Sequence, residues 1–221
     1  MTFFQQLQQA TQQERQQLLS APIITHAVQQ GIPLASYTAF LEQAYHHVKH
    51  TVPLLMACGA RLPDRLGWLR EAIVDYIAEE FGHEEWVLND LTACGVDADR
   101  VRHGQPALAT ELMVSYVYDR IARHNPVSFF GMVLVLEGTS TQVATQAADR
   151  IQQQLHLPNS AFSYLTSHGS LDISHMQGFE LLMNQLTEPE DQQAVLHTAR
   201  VVYRLYGDMF RSLPLPQEVA A

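Results

Sequence analysis

The sequence predicts an all-α protein, a compact bundle of about seven helices. Apolar residues recur at helical spacing through most of the chain, and no segment shows the strict alternation that is typical of a strand. The chain has 221 residues, of which 47% are hydrophobic. It is therefore long and apolar enough to bury a full core, and we expect one domain over residues 1–221 because no linker, repeat or low-complexity segment divides it.

The first half of the chain predicts three helices. Leu residues alternate with a Gln-rich polar face over residues 3–19. Ser36 is then expected to cap a helix over residues 36–56, because a serine hydroxyl satisfies free N–H groups of a first turn. Gly and Pro residues break the chain over 59–63. A long helix over 64–93 follows and ends at a glycine.

The second half of the chain shows clear helix boundaries. Pro126 suits a first-turn position, where the missing N–H of proline costs nothing, so it opens the next long helix. Gly169 and Ser170 are expected to break a helix, because both residue types favour turns over helix interiors. The predicted helices lie over residues 108–123 and 127–155, in a short segment ending near His168, and over 171–185 and 189–212.

Composition and charge exclude several classes of function. The net charge is -10, and the sequence has no Lys or Arg stripe of the kind that binds nucleic acid. The first residues lack the basic start and apolar core of a signal peptide, and no segment is expected to cross a membrane. We therefore expect a cytoplasmic protein. Cys58 and Cys94 lack the spacing of a zinc or redox motif and are interpreted as small buried residues near helix ends.

Three metal-competent side chains recur in one short segment. His168, Asp172 and His175 are spaced by four and three residues, which places them on one face of a helix. Each alone is typical of a cap, a surface carboxylate or a core histidine. Together they indicate a metal site, and they can face one cavity even if the glycine and serine between them kink the helix.

Two further segments supply ligands of the same kind. Glu80 and His83 stand one helical turn apart, and Glu-x-x-His is the element that di-iron and di-manganese bundles take from their helices. The neighbouring Glu79 is an alternative to Glu80, although a run of acidic residues is often only a solvated helix face. Glu137 ends an apolar run, where an ionised carboxylate needs a cation or a donor.

A histidine cluster at residues 46–50 is less specific. It is typical of a polar helix surface, but His46 or His47 must turn inward if this helix packs on the core. His47 is the preferred additional ligand or proton donor, since it lies two turns before Leu54.

The combined donors favour iron or manganese. Carboxylates mixed with imidazoles and without a thiolate suit these ions, and bridging carboxylates suit two ions better than one. Zinc would rarely use so many ligands. We expect two iron ions, with manganese as an alternative. The predicted metal ligands are Glu80, His83, Glu137, His168, Asp172 and His175.

The order and spacing of these motifs resemble those of the heme-oxygenase-like di-metal oxidases and oxygenases. Members of that family carry a Glu and a His on one central helix, a lone Glu on a second and His-x3-Asp-x2-His on a third. The likeness covers most of the chain, and its last motif is the most specific. It implies a heme-oxygenase-like fold, shared with thiaminase II and the pyrroloquinoline-quinone synthase, with the metals between central helices. Several relatives space the first Glu and His by seven residues, whereas Glu80 and His83 are three apart, which leaves Glu79 or Glu80 as the first carboxylate.

The resemblance also implies an activity. Two ferrous ions would activate O₂, as a co-substrate, to oxidise a C–H bond or an amine of a small substrate that is largely apolar or derived from an amino acid. The carboxylates of Glu80, Glu137 and Asp172 are the expected catalytic groups, because they would shift between bridging and terminal binding. A homodimer is a further expectation from the size of the domain.

Three alternatives to the oxygenase stay open. A hydrolase of the thiaminase II type needs a nucleophilic cysteine, and Cys58 and Cys94 are poorly placed for that role. A heme-degrading enzyme would use one histidine of the 46–50 cluster and leave the six-residue ligand set unexplained. A non-catalytic metal-binding protein would keep the ligands without a substrate cavity.

Overall fold

The all-α fold class is confirmed. A computed structural model of the protein describes residues 1–215, apart from the side chains of residues 170–174. The described residues form helices joined by short loops, with no strand among them. The α-helices are α1 (Phe3–Ala10), α2 (Gln12–Leu19), α3 (Pro22–Gln29), α4 (Leu34–Val48), α5 (Thr51–Arg61), α6 (Gly67–Glu80), α7 (His83–Ala93), α8 (Ala98–Arg102), α9 (Leu108–Arg123), α10 (Phe129–Leu155), α11 (Ser163–Gln185) and α12 (Pro189–Arg211). Short 3-10 helices lie at Asp64–Leu66, Pro126–Ser128 and Asn159–Ala161.

The helices are more numerous than predicted because three expected helices are divided, and because α3 and α8 form where no helix was predicted. The helix predicted over 3–19 breaks at Thr11, the one over 36–56 at Lys49 and His50, and the one over 64–93 at two places. Ser36 is not an N-cap, since α4 already begins at Leu34, and its hydroxyl instead donates to the carbonyl of Pro214 at 2.8 Å.

Helix α10 is the central element of the fold. It packs against α3, α11 and α12, and Phe130, Leu134 and Val135 are completely buried in it. Contrary to the expectation from the sequence, one described helical stretch, Pro126–Leu155, is long and apolar enough to cross a membrane by length and composition, with a mean hydropathy of 1.3. Since 67% of this window is buried inside the protein, it is typical of the core helix of a soluble protein.

A glycine turn separates α6 from α7. Gly82 has φ of 91°, a left-handed conformation that L side chains rarely adopt, so the helix predicted over 64–93 cannot continue through it. Glu80 ends α6 and His83 begins α7. The turn therefore places these two side chains next to each other across a break, where the sequence predicted one continuous helix.

Helix α11 is continuous where the sequence predicted a break. Gly169 lies inside it, and a Cβ atom at this position would stand 2.3 Å from Oγ1 of Thr145 on α10. The absence of a side chain allows α10 and α11 to approach closely. The prediction of a break at Gly169 and Ser170 was therefore wrong, because the glycine serves packing between helices.

We expect Gly82→Ala to destabilise the protein by about 1–2 kcal/mol, because alanine is strained at positive φ. Gly178→Ala is the matched control, since a Cβ at Gly178, inside α11, would meet no neighbouring atom within 4 Å, and this change should be neutral or stabilising by up to about 1 kcal/mol. Urea denaturation of both variants measures the free energy of unfolding. Equal stability of the two variants would contradict the assignment of strain to Gly82.

Candidate metal centre

Glu80 and His83 form the first part of the centre. Both side chains are buried, and Nδ1 of His83 lies 3.1 Å from Oε2 of Glu80. The His83 ring stacks on Trp86, one turn further along α7, with 3.9 Å between ring centroids. The glycine turn and the indole together orient the imidazole toward the carboxylate.

Two histidines of α11 face this pair. The ring of His168 stands perpendicular to that of His83, with centroids 5.1 Å apart, and Tyr164 contacts it from the preceding turn. Nδ1 of His175 lies 3.9 Å from a carboxylate oxygen of Glu80 and also 3.9 Å from one of Glu137. The continuous helix thus presents both imidazoles to Glu80, and that of His175 to Glu137 as well.

These side chains form two groups of potential ligands that share one carboxylate. The ligand atoms of Glu80, His83 and His168 all lie within 4.8 Å of one another, and so do those of Glu80, Glu137 and His175. Glu137 projects from the apolar α10 and is 8% exposed. A buried carboxylate among apolar side chains is stable only with compensating charge or hydrogen bonds, which two cations beside Glu80 would provide.

Two further predicted ligands, Asp172 and Glu79, are not among the residues of these two groups. Asp172 belongs to α11 between the two histidines, but its side chain lies outside the described residues. Glu79 is largely exposed, and its Oε2 lies 3.2 Å from Nε2 of His175, on the opposite side of the ring from Nδ1. Such a contact orients a metal-binding imidazole from behind. The geometry places Glu80, and not Glu79, inside the centre.

His47 lies across the cavity from the two ligand groups and belongs to neither. It is 1% exposed, and its ring meets the edge of Tyr206 at 5.7 Å between centroids. Burial, followed by the nearby imidazoles of His168, His50 and His46, lowers the pKa of His47 to about 3, so the ring is neutral. His46 and His50 point elsewhere, toward Lys49 and Tyr118 respectively.

Asp90 supports the centre and was missed from the sequence. This fully buried carboxylate of α7 accepts hydrogen bonds from the backbone N–H of Ser163 and of Tyr164 and from the Ser163 hydroxyl. It therefore caps the N-terminus of α11 from another helix. No sequence signal predicts this contact, because the partners are 73 residues apart.

Two neighbouring chambers that share four lining residues adjoin the ligands. The near chamber, of about 690 Å³, is lined by Glu80, Glu137, His168 and His47 together with apolar residues such as Leu54 and Met132. The far chamber, of about 660 Å³, lies between α3, α4, α10 and α12. Both share the lining residues Ser140, Tyr164, His168 and Tyr206.

The donor set fits iron. Imidazoles and carboxylates without a thiolate are the ligands of non-heme iron and manganese, and a shared carboxylate suits two ions. A family model described as iron-containing redox enzymes matches residues 38–207. The chain belongs to this family. The matched region contains every candidate ligand.

Solved structures show the same fold as this member of the iron-containing redox enzyme family. A protein from Shewanella denitrificans OS217, described as a domain of unknown function with a heme oxygenase-like fold, is 22% identical, with a TM-score of 0.81 over 95% of this chain and 90% of that one. A TenA homologue from Pseudomonas syringae pv. tomato DC3000 is 10% identical, with a TM-score of 0.80 over 94% and 91%. Heme oxygenase from Leptospira interrogans is 16% identical, with a TM-score of 0.74 over 96% and 100%. A search of curated protein sequences finds no match. The predicted heme-oxygenase-like fold is confirmed.

We expect Asp90→Ala to lower the free energy of unfolding by about 2–3 kcal/mol, since it removes three hydrogen bonds to a buried charge. Thr92→Ala on the same helix is the control, because its hydroxyl bonds only to the carbonyl of Leu88, and it should change stability by less than about 1 kcal/mol. Denaturant unfolding of metal-free protein measures both effects. A loss in Asp90→Ala no larger than in the control would exclude a capping role.

The depressed pKa of His47 makes stability depend on pH. The unfolded chain binds a proton at this histidine below pH 6.5 and the folded chain does not until about pH 3, so stability falls as the pH falls through this window. Between about pH 7.5 and pH 5, metal-free His47→Phe should therefore lose about 2 kcal/mol less stability than the parent protein. His197→Phe, at an exposed histidine of α12, should keep the parent's pH dependence. A parent-like pH dependence of His47→Phe would refute the prediction.

Proposed function

We propose that this protein is a non-heme di-iron enzyme that activates O₂ to oxidise a small, largely apolar substrate. The observation that carries the proposal is the pair of ligand groups that share Glu80. One carboxylate between two sets of donors is the arrangement that holds two metal ions side by side.

The residues that would hold the ions follow from the two groups. His83 and His168 would bind one ion, Glu137 and His175 the other, and Glu80 both. Asp172 is proposed as a further ligand, since it belongs to the same helix as the two α11 histidines. Iron bound there would supply the electron transfer to dioxygen and the oxidation of the substrate.

The protein's own part is to fix the ligands and exclude water. Glu79 orients His175 from the solvent side, and Trp86 orients His83 by stacking. The apolar near chamber brings a substrate beside Glu80 and Glu137 while keeping bulk water away, so that reactive species would meet the substrate first.

The lining of the two chambers also distinguishes between the alternative functions, a cysteine hydrolase and a non-catalytic metal-binding protein. Cys58 donates its thiol to the carbonyl of Pro126, and burial raises its pKa to about 12; neither it nor Cys94 lines either chamber. A hydrolase with a nucleophilic cysteine therefore has little support. A cavity beside the ligands likewise supports an enzyme over a non-catalytic metal-binding protein, which remains the second candidate.

We expect the full chain, reconstituted anaerobically with Fe(II), to bind about two irons and to consume O₂ on exposure to air. Glu137→Ala and His175→Ala should each bind about half as much iron, because each removes one donor of one group. Glu71→Ala, an exposed acidic residue of α6, is the matched control and should bind as much as the parent. Elemental analysis, oxygen uptake and circular dichroism provide the readouts.

Several outcomes would contradict the proposal. Parent-like iron content in both Glu137→Ala and His175→Ala would exclude the assigned ligands. Iron binding without oxygen consumption would favour the non-catalytic metal protein. Retention of heme, with its visible absorption, in place of non-heme iron would favour a heme enzyme.

A further inference from the structure

The far chamber extends the cavity well beyond the candidate ligands. Its described lining is apolar except for Thr139 and the four residues that it shares with the near chamber. The aromatic rings of Phe40 and Phe210 stack in its wall, with 5.8 Å between centroids. No Asp, Glu, Lys or Arg contributes to this described lining. Only an apolar group would gain free energy by entering it.

The lining of the far chamber follows α10 over several turns. Ser140, Ala144 and Ile151 line it from one face of the helix, as their spacings of four and seven residues require. At 1.5 Å per residue, this face is about 16 Å long. An extended chain fits such a shape better than a compact ring system does.

In the near chamber, the positive charge for an anionic end group would have to come from the proposed metal ions, since the described lining residues supply none. The described residues that line it include the carboxylates of Glu80 and Glu137 and no Lys or Arg. It does offer His47, whose two ring nitrogens are buried and have no hydrogen-bond partner among the described residues. A neutral imidazole presents one donor and one acceptor, which a hydroxyl or an amide can match. Leaving both nitrogens unpaired is costly, and a ligand group that pairs with one of them would remove part of that cost.

We propose that the substrate is a molecule with an unbranched apolar chain, which fills the far chamber, and a neutral polar end group, a hydroxyl or an amide, which hydrogen-bonds to His47. The end group then lies in the near chamber beside Glu80 and Glu137, and the chain passes Tyr164 and Tyr206. The oxidation of this substrate rests on the proposed function, whereas its binding depends only on the cavity.

The first test is the dependence of binding on chain length. Calorimetric titration of the full chain with hexanol, octanol and decanol, both iron-loaded without oxygen and metal-free, gives the affinities. Each added methylene should raise the affinity about fourfold, which corresponds to the usual transfer free energy of about 0.8 kcal/mol. An affinity that does not rise with chain length would overturn the proposal. Because the metal-free arm needs no iron, it stays informative if the proposed oxygenase activity fails.

The second test fills the far chamber. Ala144→Phe should abolish the gain from octanol to decanol, since the ring occupies the space of the chain. Gln153→Phe, at an exposed position of the same helix, should keep that gain. If Ala144→Phe does not fold, Ala27→Met can replace it, because it narrows the chamber from the side of α3. Ala27→Met should then also abolish the gain in affinity from octanol to decanol. Parent-like chain-length dependence in a folded chamber variant would overturn the assignment of the chain to this chamber.

The third test concerns the end group. Metal-free protein should bind octanol more tightly than octanoate, and His47→Phe should lower the octanol affinity about two- to tenfold while keeping the gain per methylene. Tighter binding of octanoate to metal-free protein, or an unchanged octanol affinity in His47→Phe, would overturn the role of His47.

Discussion

Two carboxylates, Glu80 and Glu137, are buried in an apolar interior. The arrangement of the helices around them is explained by the need to compensate their buried charge. An ionised carboxylate taken from water into a low-dielectric core costs several kcal/mol unless opposite charge or hydrogen-bond donors surround it. Here imidazoles from two other helices lie 3.1 to 3.9 Å from the carboxylate oxygens. Three chain segments far apart in sequence must therefore bring their side chains together at one point. The rest of the fold holds these segments in place.

Three local features, at Gly82, Asp90 and Gly169, hold the segments that carry the ligands in fixed positions. The turn at Gly82 fixes the backbone positions of Glu80 and His83 relative to each other. These positions do not depend on side-chain rotamers. Asp90 connects α7 to the beginning of α11, and Gly169 brings α11 against α10. Each device acts between two of the helices that carry ligands. Together they link α7, α10 and α11 into one framework in which a shift of one helix would displace the others.

The sequence predicted much of the helical framework and of the ligand set, for reasons of local chemistry. Helix α9 begins and ends at the predicted residues, and α10 lies within two residues of its predicted start, because proline, glycine and periodic apolar positions act over short distances. The break at Gly82 was missed, since a glycine inside a helical pattern is compatible with both a helix and a left-handed turn. The inward position of His47 was predicted from its place before the apolar residues of the same segment. The role of Asp90 depends on partners distant in the chain, and a single sequence carries no signal for such contacts.

Helix α10 combines two tasks along one face. Glu137 stands at one level, and Ala144 lines the far chamber seven residues later, about 10 Å along the axis at 1.5 Å per residue. Residues near Glu137 and residues near Ala144 share few neighbours. The effects of substitutions at the two places on the free energy of unfolding should therefore be nearly additive. Substitutions in the far chamber that avoid the surroundings of His168, a candidate ligand that also lines it, can thus change the depth of the cavity. This gives the scaffold a simple route to substrates of new sizes with the same inorganic chemistry.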